Sequence, residues 1–186
     1  MDTLWTDFIN SDWHDFRESG KHEDRLVLSS WQKQFLYDWQ LKSSIPATDI
    51  ELKALQTLRK LLHNYTLAIV KGSSADMIDW NELNRIMAQS PVIRQWNKDD
   101  EENRHVTYTP LVQDWNSVMA EVVSDFVHTV LDQDIQRIRI CDNPDCRWVF
   151  YDDTRSRTKR YCEDKTCGNL MKVRRFRAKK GSSRSQ

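Results

Sequence analysis

The chain has 186 residues, of which 39% are hydrophobic, and its eight tryptophans are enough to bury a substantial core. Four glycines and four prolines are too few for a disordered or many-stranded chain, and no apolar run approaches the roughly 18 residues of a membrane helix. The first residues lack the basic and apolar regions of a signal peptide, so we expect a cytoplasmic protein with reduced thiols and no membrane segment.

The formal net charge is zero, but the charges are distributed unevenly along the chain. Residues 1–134 carry 13 Lys and Arg against 22 Asp and Glu, a net charge of −9, whereas residues 135–186 carry 15 against 6, a net charge of +9. This asymmetry predicts two functional parts, of which the basic one faces a polyanion. The alternative is that the acidic part and the basic part only neutralise each other.

The apolar periodicity of residues 1–134 predicts four helices around one core. Their predicted starts are capping signals, namely a Ser29-x-x-Gln32 box, a Thr48-x-x-Glu51 box, Asp79, and Thr109 with Pro110 as first helical residue. The second helix should stop at Gly72 and the third before Pro91. Between the third and fourth helices, Val92–Trp96 and His105–Thr109 are predicted to pair as a hairpin around the charged turn at residues 99–103.

Residues 135–181 are predicted to form a smaller unit of strands followed by one helix. Ile135–Ile140 alternates in polarity and should be a strand, while Arg147–Tyr151 and Thr158–Tyr161 should pair around a turn at residues 152–157. After Gly168 the pattern becomes helical, with one apolar and one basic face, formed by Leu170, Val173 and Phe176 and by Lys172, Arg175 and Lys179. The last five residues, 182–186, are expected to be a disordered tail.

All four cysteines lie in the last 46 residues, as Cys141-x4-Cys146 and Cys162-x4-Cys167 separated by fifteen residues. Four thiolates at this spacing predict one structural, tetrahedral Zn²⁺ with no open coordination position. The alternatives, two disulfides or unrelated buried thiols, are disfavoured in a reducing compartment. His14 and His22 lie among several acidic residues, but their spacing fits no ligand motif and favours an acidic, solvated loop.

The basic residues around the cysteines predict contact with nucleic acid, most simply with the phosphates of duplex DNA. The candidate phosphate ligands lie in the turn at residues 152–157, just after it, and on the last helix, and Arg174 could reach base edges. The full set of candidates is Arg155, Arg157, Lys159, Lys172, Arg174, Arg175 and Lys179. A homodimer is a further expectation.

Three segments, residues 141–152, 160–162 and 167–177, closely resemble the CGNR-type zinc finger. In that bacterial family a mostly helical ABATE domain usually precedes the finger, and Phe8-Ile-Asn10 resembles an early element of that domain. The resemblance implies a mainly α fold: a helical domain with a small β-hairpin at 1–134, then a four-cysteine zinc finger at 135–181 made of a hairpin and a helix, treble-clef or ribbon-like. It also implies a stress-responsive, DNA-binding transcriptional regulator whose first domain senses a signal or binds a partner.

One position departs from the family's Cys-Gly-Asn-Arg sequence, since Leu170 stands where the arginine would be. The metal ligands are unaffected, but a phosphate contact from that position would be lost. Two other functions stay open: an RNA-binding module that stacks bases on Trp148, Phe150 and Tyr151, or a protein-interaction adaptor held together by zinc. No catalytic motif is present and a closed zinc site is not a reaction centre, so we do not expect an enzyme.

Overall fold

Five α-helices surround the main hydrophobic core in the computed structural model, which describes residues 3–98 and 102–182. They are α1 (Leu4–Ile9), α2 (Ser29–Asp38), α3 (Asp49–Val70), α4 (Trp80–Met87) and α5 (Trp115–Asp132). A sixth helix, α6 (Asn169–Ser182), follows a π-helical turn at Asp164–Gly168 near the C-terminus. The predicted turn at 99–103 and the predicted tail at 182–186 fall mostly outside the described residues. None of the helices described is both long and apolar enough to cross a bilayer.

Three antiparallel two-stranded hairpins complete the fold within the described ranges. Strand β1 (Asp12–His14) pairs with β2 (His22–Asp24), β3 (Val92–Lys98) with β4 (Arg104–Pro110), and β5 (Ile138–Ile140) with β6 (Val149–Tyr151). The β3–β4 hairpin confirms the predicted pairing and extends it by one or two residues. The mainly helical class with small hairpins is also confirmed.

Helices α3 and α4 begin where their capping residues predict. The Thr48 hydroxyl accepts a hydrogen bond from the Glu51 N–H at 3.4 Å, and the Glu51 carboxylate accepts one from the Thr48 N–H at 2.7 Å. Asp79 accepts bonds from the two N–H groups that follow Trp80. The apolar stripe of α3 faces the core, since Leu55, Leu58 and Leu62 are buried.

One predicted cap and one predicted helix start were wrong. Helix α2 begins at Ser29 as predicted, but Ser29 makes no capping bond, because Gln32 is turned into the interior, where it donates to the carbonyl of Leu26 and accepts from the N–H of Ala47. Helix α5 begins at Trp115 behind an Asp114 cap, five residues later than predicted. Pro110 ends strand β4 instead, because its fixed φ angle suits an edge strand as well as a helix start.

Helix α1 and the β1–β2 hairpin were not predicted as regular elements. Six residues are too few for helical periodicity to show, yet Trp5 is fully buried against Phe126, with ring centroids 5.3 Å apart. The indole N–H of Trp5 donates to Thr129 at 2.9 Å, which ties α1 to α5. The residues predicted as an acidic loop are the short β1–β2 hairpin, in which the rings of His14 and His22 stack.

The hairpin near the cysteines differs from the predicted one. Strand β6 pairs with β5 and not with residues 158–161, which are not a strand. Because side chains alternate along a strand, Val149 packs into the main helical core while Phe150 packs among the cysteines. Ile138 also belongs to the main core, so this core extends past residue 134, where we predicted a domain boundary.

Candidate metal centre and its basic surroundings

The four cysteine sulfurs converge at one point, as the sequence predicted. All four lie within 4.8 Å of one another, and the Cys162 sulfur is 3.7 Å from that of Cys146 and 3.8 Å from that of Cys167. With zinc–sulfur bonds of about 2.3 Å, the sulfurs of a tetrahedral site lie about 3.8 Å apart. The cluster therefore has the dimensions of a four-thiolate zinc site, and it is the one group of possible metal ligands among the described residues.

Hydrogen bonds among the thiols show why the cluster requires a cation. Bonds from Cys146 and Cys162 lower the pKa of Cys141 to about 2, so one thiolate is stabilised by its neighbours. The same bonds, together with burial, raise the pKa of Cys146 to about 12 and raise the pKa of Cys162 strongly. A doubly charged ion offsets the repulsion among neighbouring thiolates, so all four sulfurs can be deprotonated at once.

Proton release on zinc binding follows from these shifts. In the metal-free protein at pH 7 the Cys146 and Cys162 thiols are protonated, so we expect at least two protons to leave per zinc bound. Zinc affinity should accordingly fall as the pH is lowered, since protons compete for the sulfurs. Titrating zinc into weakly buffered, reduced protein with a pH indicator measures the stoichiometry. Zinc affinity that does not change between pH 6 and 8 would contradict the assignment.

Asn143, between the first two cysteines, connects the cluster to the rest of the molecule. Its fully buried amide donates to the Cys167 sulfur at 3.5 Å and to the carbonyl of Phe16, in the β1–β2 loop, at 2.9 Å. Its carbonyl oxygen accepts a bond from Arg174 on α6 at 3.3 Å. Nothing local in the sequence indicates that a loop 127 residues earlier approaches Asn143.

The site is closed, as expected for a structural ion. Cys141, Cys146 and Cys167 are buried and Cys162 is partly buried, with Phe150 and Tyr161 packed beside them. Gly168 is also enclosed, since a Cβ atom there would lie 3.2 Å from the Asp164 carboxylate. A side chain at this position would therefore crowd the turn that carries Cys167. Four cysteines therefore hold one structural Zn²⁺.

Asn10, at the end of α1, is a second buried link between the helical body and the finger. Its side-chain amide donates to the Val149 carbonyl at 2.8 Å, and its carbonyl oxygen accepts from the Val149 N–H at 2.8 Å. The asparagine thus pairs with strand β6 as another strand would. The resemblance of Phe8-Ile-Asn10 to an element of the ABATE domain does not predict this contact, and the sequence carries no local signal for it.

The turn after β6 is held by Asp152, which is fully buried. Its carboxylate accepts bonds from the backbone N–H groups of Thr154 and Lys159, each at 3.0 Å. The guanidinium of Arg137 also donates to the carbonyls of Asp152 and Thr154. These bonds fix the loop that carries Arg155.

The predicted nucleic-acid ligands occupy different environments. Arg155 and Lys172 are exposed and make no hydrogen bond or ion pair through their side chains with any residue in the described ranges. Lys159 lies over the ring of Phe150, and Arg175 bonds to the Met171 carbonyl and the Tyr161 hydroxyl, so both are held within the finger. Lys179 is exposed near the end of α6.

Two of the predicted ligands are engaged by acidic side chains. Arg157 pairs with Asp134 at 2.7 Å. Arg174 is partly buried and pairs with Asp145 at 2.9 Å and with Glu18, in the β1–β2 loop, at 3.0 Å. Arg174 therefore binds the finger to the helical body in this structure, a position that sequence reasoning did not foresee.

The apolar face of α6 is largely unpacked. Leu170 is partly buried, but Val173 is 45% exposed and Phe176 is 68% exposed, so the helix leaves the finger after its second turn. The predicted apolar face of Leu170, Val173 and Phe176 therefore lies mostly on the surface of the molecule.

Comparison with known families supports the metal assignment. The family model for the CGNR zinc finger matches residues 137–180, a range that contains all four cysteines, the Asp152 loop and nearly all of α6. No curated protein matches the chain. The matched range covers the finger, so an ABATE domain in residues 1–134 stays a prediction.

Proposed function

From the zinc-held finger at residues 137–180, we propose that this chain binds duplex DNA and acts as a transcriptional regulator. The observation that carries the proposal is the form of α6: it extends from the last zinc ligand with six basic residues and no acidic residue between Leu170 and Lys180. Every residue from Arg175 to Lys180 is exposed, so this part of the basic helix lies on the surface, where a polyanion can reach it.

The role of the metal would be structural. It would hold the loop after β6, which contains Asp152, next to the start of α6. Cys162 follows the loop and Cys167 precedes the helix, so one ion fixes the two basic segments relative to each other. Arg155 and Lys172 would then meet phosphates together, and Lys179 would extend the contact along the backbone. We assign the zinc no catalytic role, because protein thiolates fill its coordination positions.

The helical body would supply the regulatory part. Its net charge of −9 makes it a poor DNA ligand, whereas the finger carries +9 with the residues that follow it. Asn10, Asn143 and Arg174 each join the body to the finger, so a change in the body could alter how the finger is presented. The resemblance to ABATE-containing regulators supports a signal-sensing role for this part.

The three aromatic residues next to the cysteines favour duplex DNA over single-stranded RNA. Phe150 is buried beside the cysteines, Tyr151 packs against the main core, and Trp148 is partly buried against the metal cluster. Base stacking requires exposed ring faces, which Phe150 does not offer and the half-buried Trp148 and Tyr151 offer only in part.

The adaptor function has one observation in its favour. The pairs Arg174–Glu18 and Arg157–Asp134 show acidic groups outside the matched finger already binding the basic segment. In that function the remaining basic residues would bind an acidic protein and the affinity for nucleic acid would be weak.

Reversing the charge of Arg155 and Lys172 tests the proposal. We expect the Arg155→Glu/Lys172→Glu variant to bind duplex DNA at least about tenfold more weakly at 100 mM salt, because each residue loses a phosphate contact. Fluorescence anisotropy with a labelled random-sequence duplex measures this, with a single-stranded RNA of equal length at matched salt as the competing ligand.

Lys33→Glu/Lys53→Glu is the matched control, since it changes the net charge equally at exposed residues of α2 and α3. It should leave the affinity within about twofold. Equal losses of affinity in both variants would show that binding depends only on the overall charge of the protein. Tighter binding to the RNA than to the duplex would favour the RNA-binding module.

A further inference from the structure

Helix α6 turns one side toward the finger and the other toward solvent. Met171 packs beside the cysteine cluster, and Arg174 pairs with Asp145 at 2.9 Å. Arg175 donates to the Tyr161 hydroxyl, so Met171, Arg174 and Arg175 form the inner side of the helix. Arg174, which was predicted to reach base edges, therefore lies on the side that faces the protein.

The outer side of α6 carries an apolar stripe formed by Val173 and Phe176. The two residues are three positions apart, so they are neighbours along one side of the helix. Both are exposed, and neither belongs to a hydrophobic cluster of the described residues. Exposed apolar residues are common on protein surfaces, so it is the charge around these two that sets them apart.

Basic residues border the stripe on both edges. Lys172 is four positions before Phe176 and Lys179 is three positions after it, so both lie beside the ring. On the other edge, Arg177 is four positions after Val173. We call these five residues the outer face of α6: apolar along its centre and basic along its edges.

The acidic residues near α6 leave the outer face basic. No acidic side chain follows Asp164 in the sequence, so none lies within α6 or beyond it. Asp145 and Glu18 both contact the helix through Arg174, which is on the inner side. Because its apolar stripe is enclosed by positive charge, the outer face fits a polyanion that has apolar groups between its negative charges.

We propose that the outer face of α6 lies in the major groove of duplex DNA, with Val173 and Phe176 against the 5-methyl groups of thymine. This placement rests on the proposed DNA binding and adds which side of the helix reads the bases. A helix with its side chains is about 10–12 Å across and fits the major groove, which is about 12 Å wide. Thymine methyls lie in this groove between two phosphate backbones, which matches an apolar centre with basic edges.

Other occupants match the outer face less well. The same helix of a second copy would place lysine and arginine side chains against one another, and such like-charge contacts are unfavourable. An anionic membrane would attract the basic edges, but the two apolar side chains would bury little surface in it. Duplex DNA uses both the charge of the edges and the apolar centre.

Two duplexes that differ only in the thymine methyl group test the proposal. The first alternates adenine and thymine, and the second has deoxyuridine in place of every thymine. We expect the wild-type protein to bind the thymine duplex at least about fourfold more tightly, which is the effect of burying one methyl group. Val173→Ser/Phe176→Ser should bind the two duplexes equally and keep the wild-type salt dependence, because its phosphate contacts remain. Fluorescence anisotropy measures these affinities.

Ala178→Ser is the matched control. Ala178 is exposed on the same helix, two positions from Phe176 and outside the stripe. This variant should keep the preference for the thymine duplex. Circular dichroism and zinc content should match the wild type in all variants, since the substituted side chains are exposed.

Equal affinity of the wild-type protein for the two duplexes would overturn the proposal while leaving DNA binding intact. If netropsin, a minor-groove ligand, also displaced the protein, the outer face would belong in the minor groove. If the serine variant instead lost binding to phosphatidylglycerol vesicles, the outer face would belong to a membrane surface. Failure of the wild type to bind either duplex would contradict the proposed function itself.

Discussion

Replacing Cys167 by serine is expected to destabilise the helical body together with the finger. Cys167 is 1% exposed and is one of four sulfurs that hold the ion. Structural zinc sites contribute on the order of 10 kcal/mol, which is as large as the net stability of a typical domain. The destabilisation should extend to the helical body through Ile138 and Val149. Both residues lie close to the cysteines in sequence but are buried in the main core.

Thermal unfolding followed by two signals measures this effect. We expect Cys167→Ser, or wild-type protein treated with a chelator, to lose at least about 10 °C in Tm, both in circular dichroism at 222 nm and in tryptophan fluorescence. The fluorescence reports mainly on the helical body, which contains seven of the eight tryptophans, including the buried Trp5 and Trp115. Thr166→Ala, one residue before the ligand, is the matched control and should retain zinc. An unchanged fluorescence transition after loss of zinc would show that the two parts unfold independently.

Asn10→Ala is expected to produce the second large effect, without loss of the metal. The substitution leaves the buried N–H and carbonyl of Val149 without their 2.8 Å partners, at a cost of about 3 kcal/mol. For a chain of this length that corresponds to a fall in Tm of roughly 6–12 °C. Zinc content should remain one ion per chain, because Asn10 touches none of the cysteines.

The control for this variant is Asn84→Ala, an exposed asparagine of α4 whose side chain makes no hydrogen bond with the described residues. It should change the stability by no more than about 0.5 kcal/mol. A Tm of Asn10→Ala equal to that of wild type would mean that the bonds to Val149 do not hold the finger against the body.

The features that depend on residues close in sequence could be predicted. Thr48 and Glu51 cap α3 from three positions apart, and the cysteine spacing was sufficient to identify the zinc ligands. The hairpin at β3–β4 was found because its alternation flanks a charged turn. In each case the interacting groups are separated by short stretches of chain, so their geometry follows from local backbone structure.

The features that join distant segments could not be predicted. Asn10 and Val149 are 139 residues apart, and Asn143 reaches Phe16 over 127 residues. Arg174 was chosen as a DNA ligand from its place on a basic helix, but the fold brings Glu18 within 3.0 Å of it. Strand β6 was predicted to pair with residues 158–161, whereas in the structure it pairs with β5, where Ile138 and Val149 both pack into the helical core.

The salt dependence of duplex DNA binding by the zinc-loaded protein tests the proposed function most directly. Each phosphate contact contributes about −0.9 to the slope of log K against log salt concentration. Three contacts, from Arg155, Lys172 and Lys179, predict a slope of about −2.7, falling to about −0.9 in Arg155→Glu/Lys172→Glu. A slope near zero, or no binding at 50 mM salt, would contradict the account.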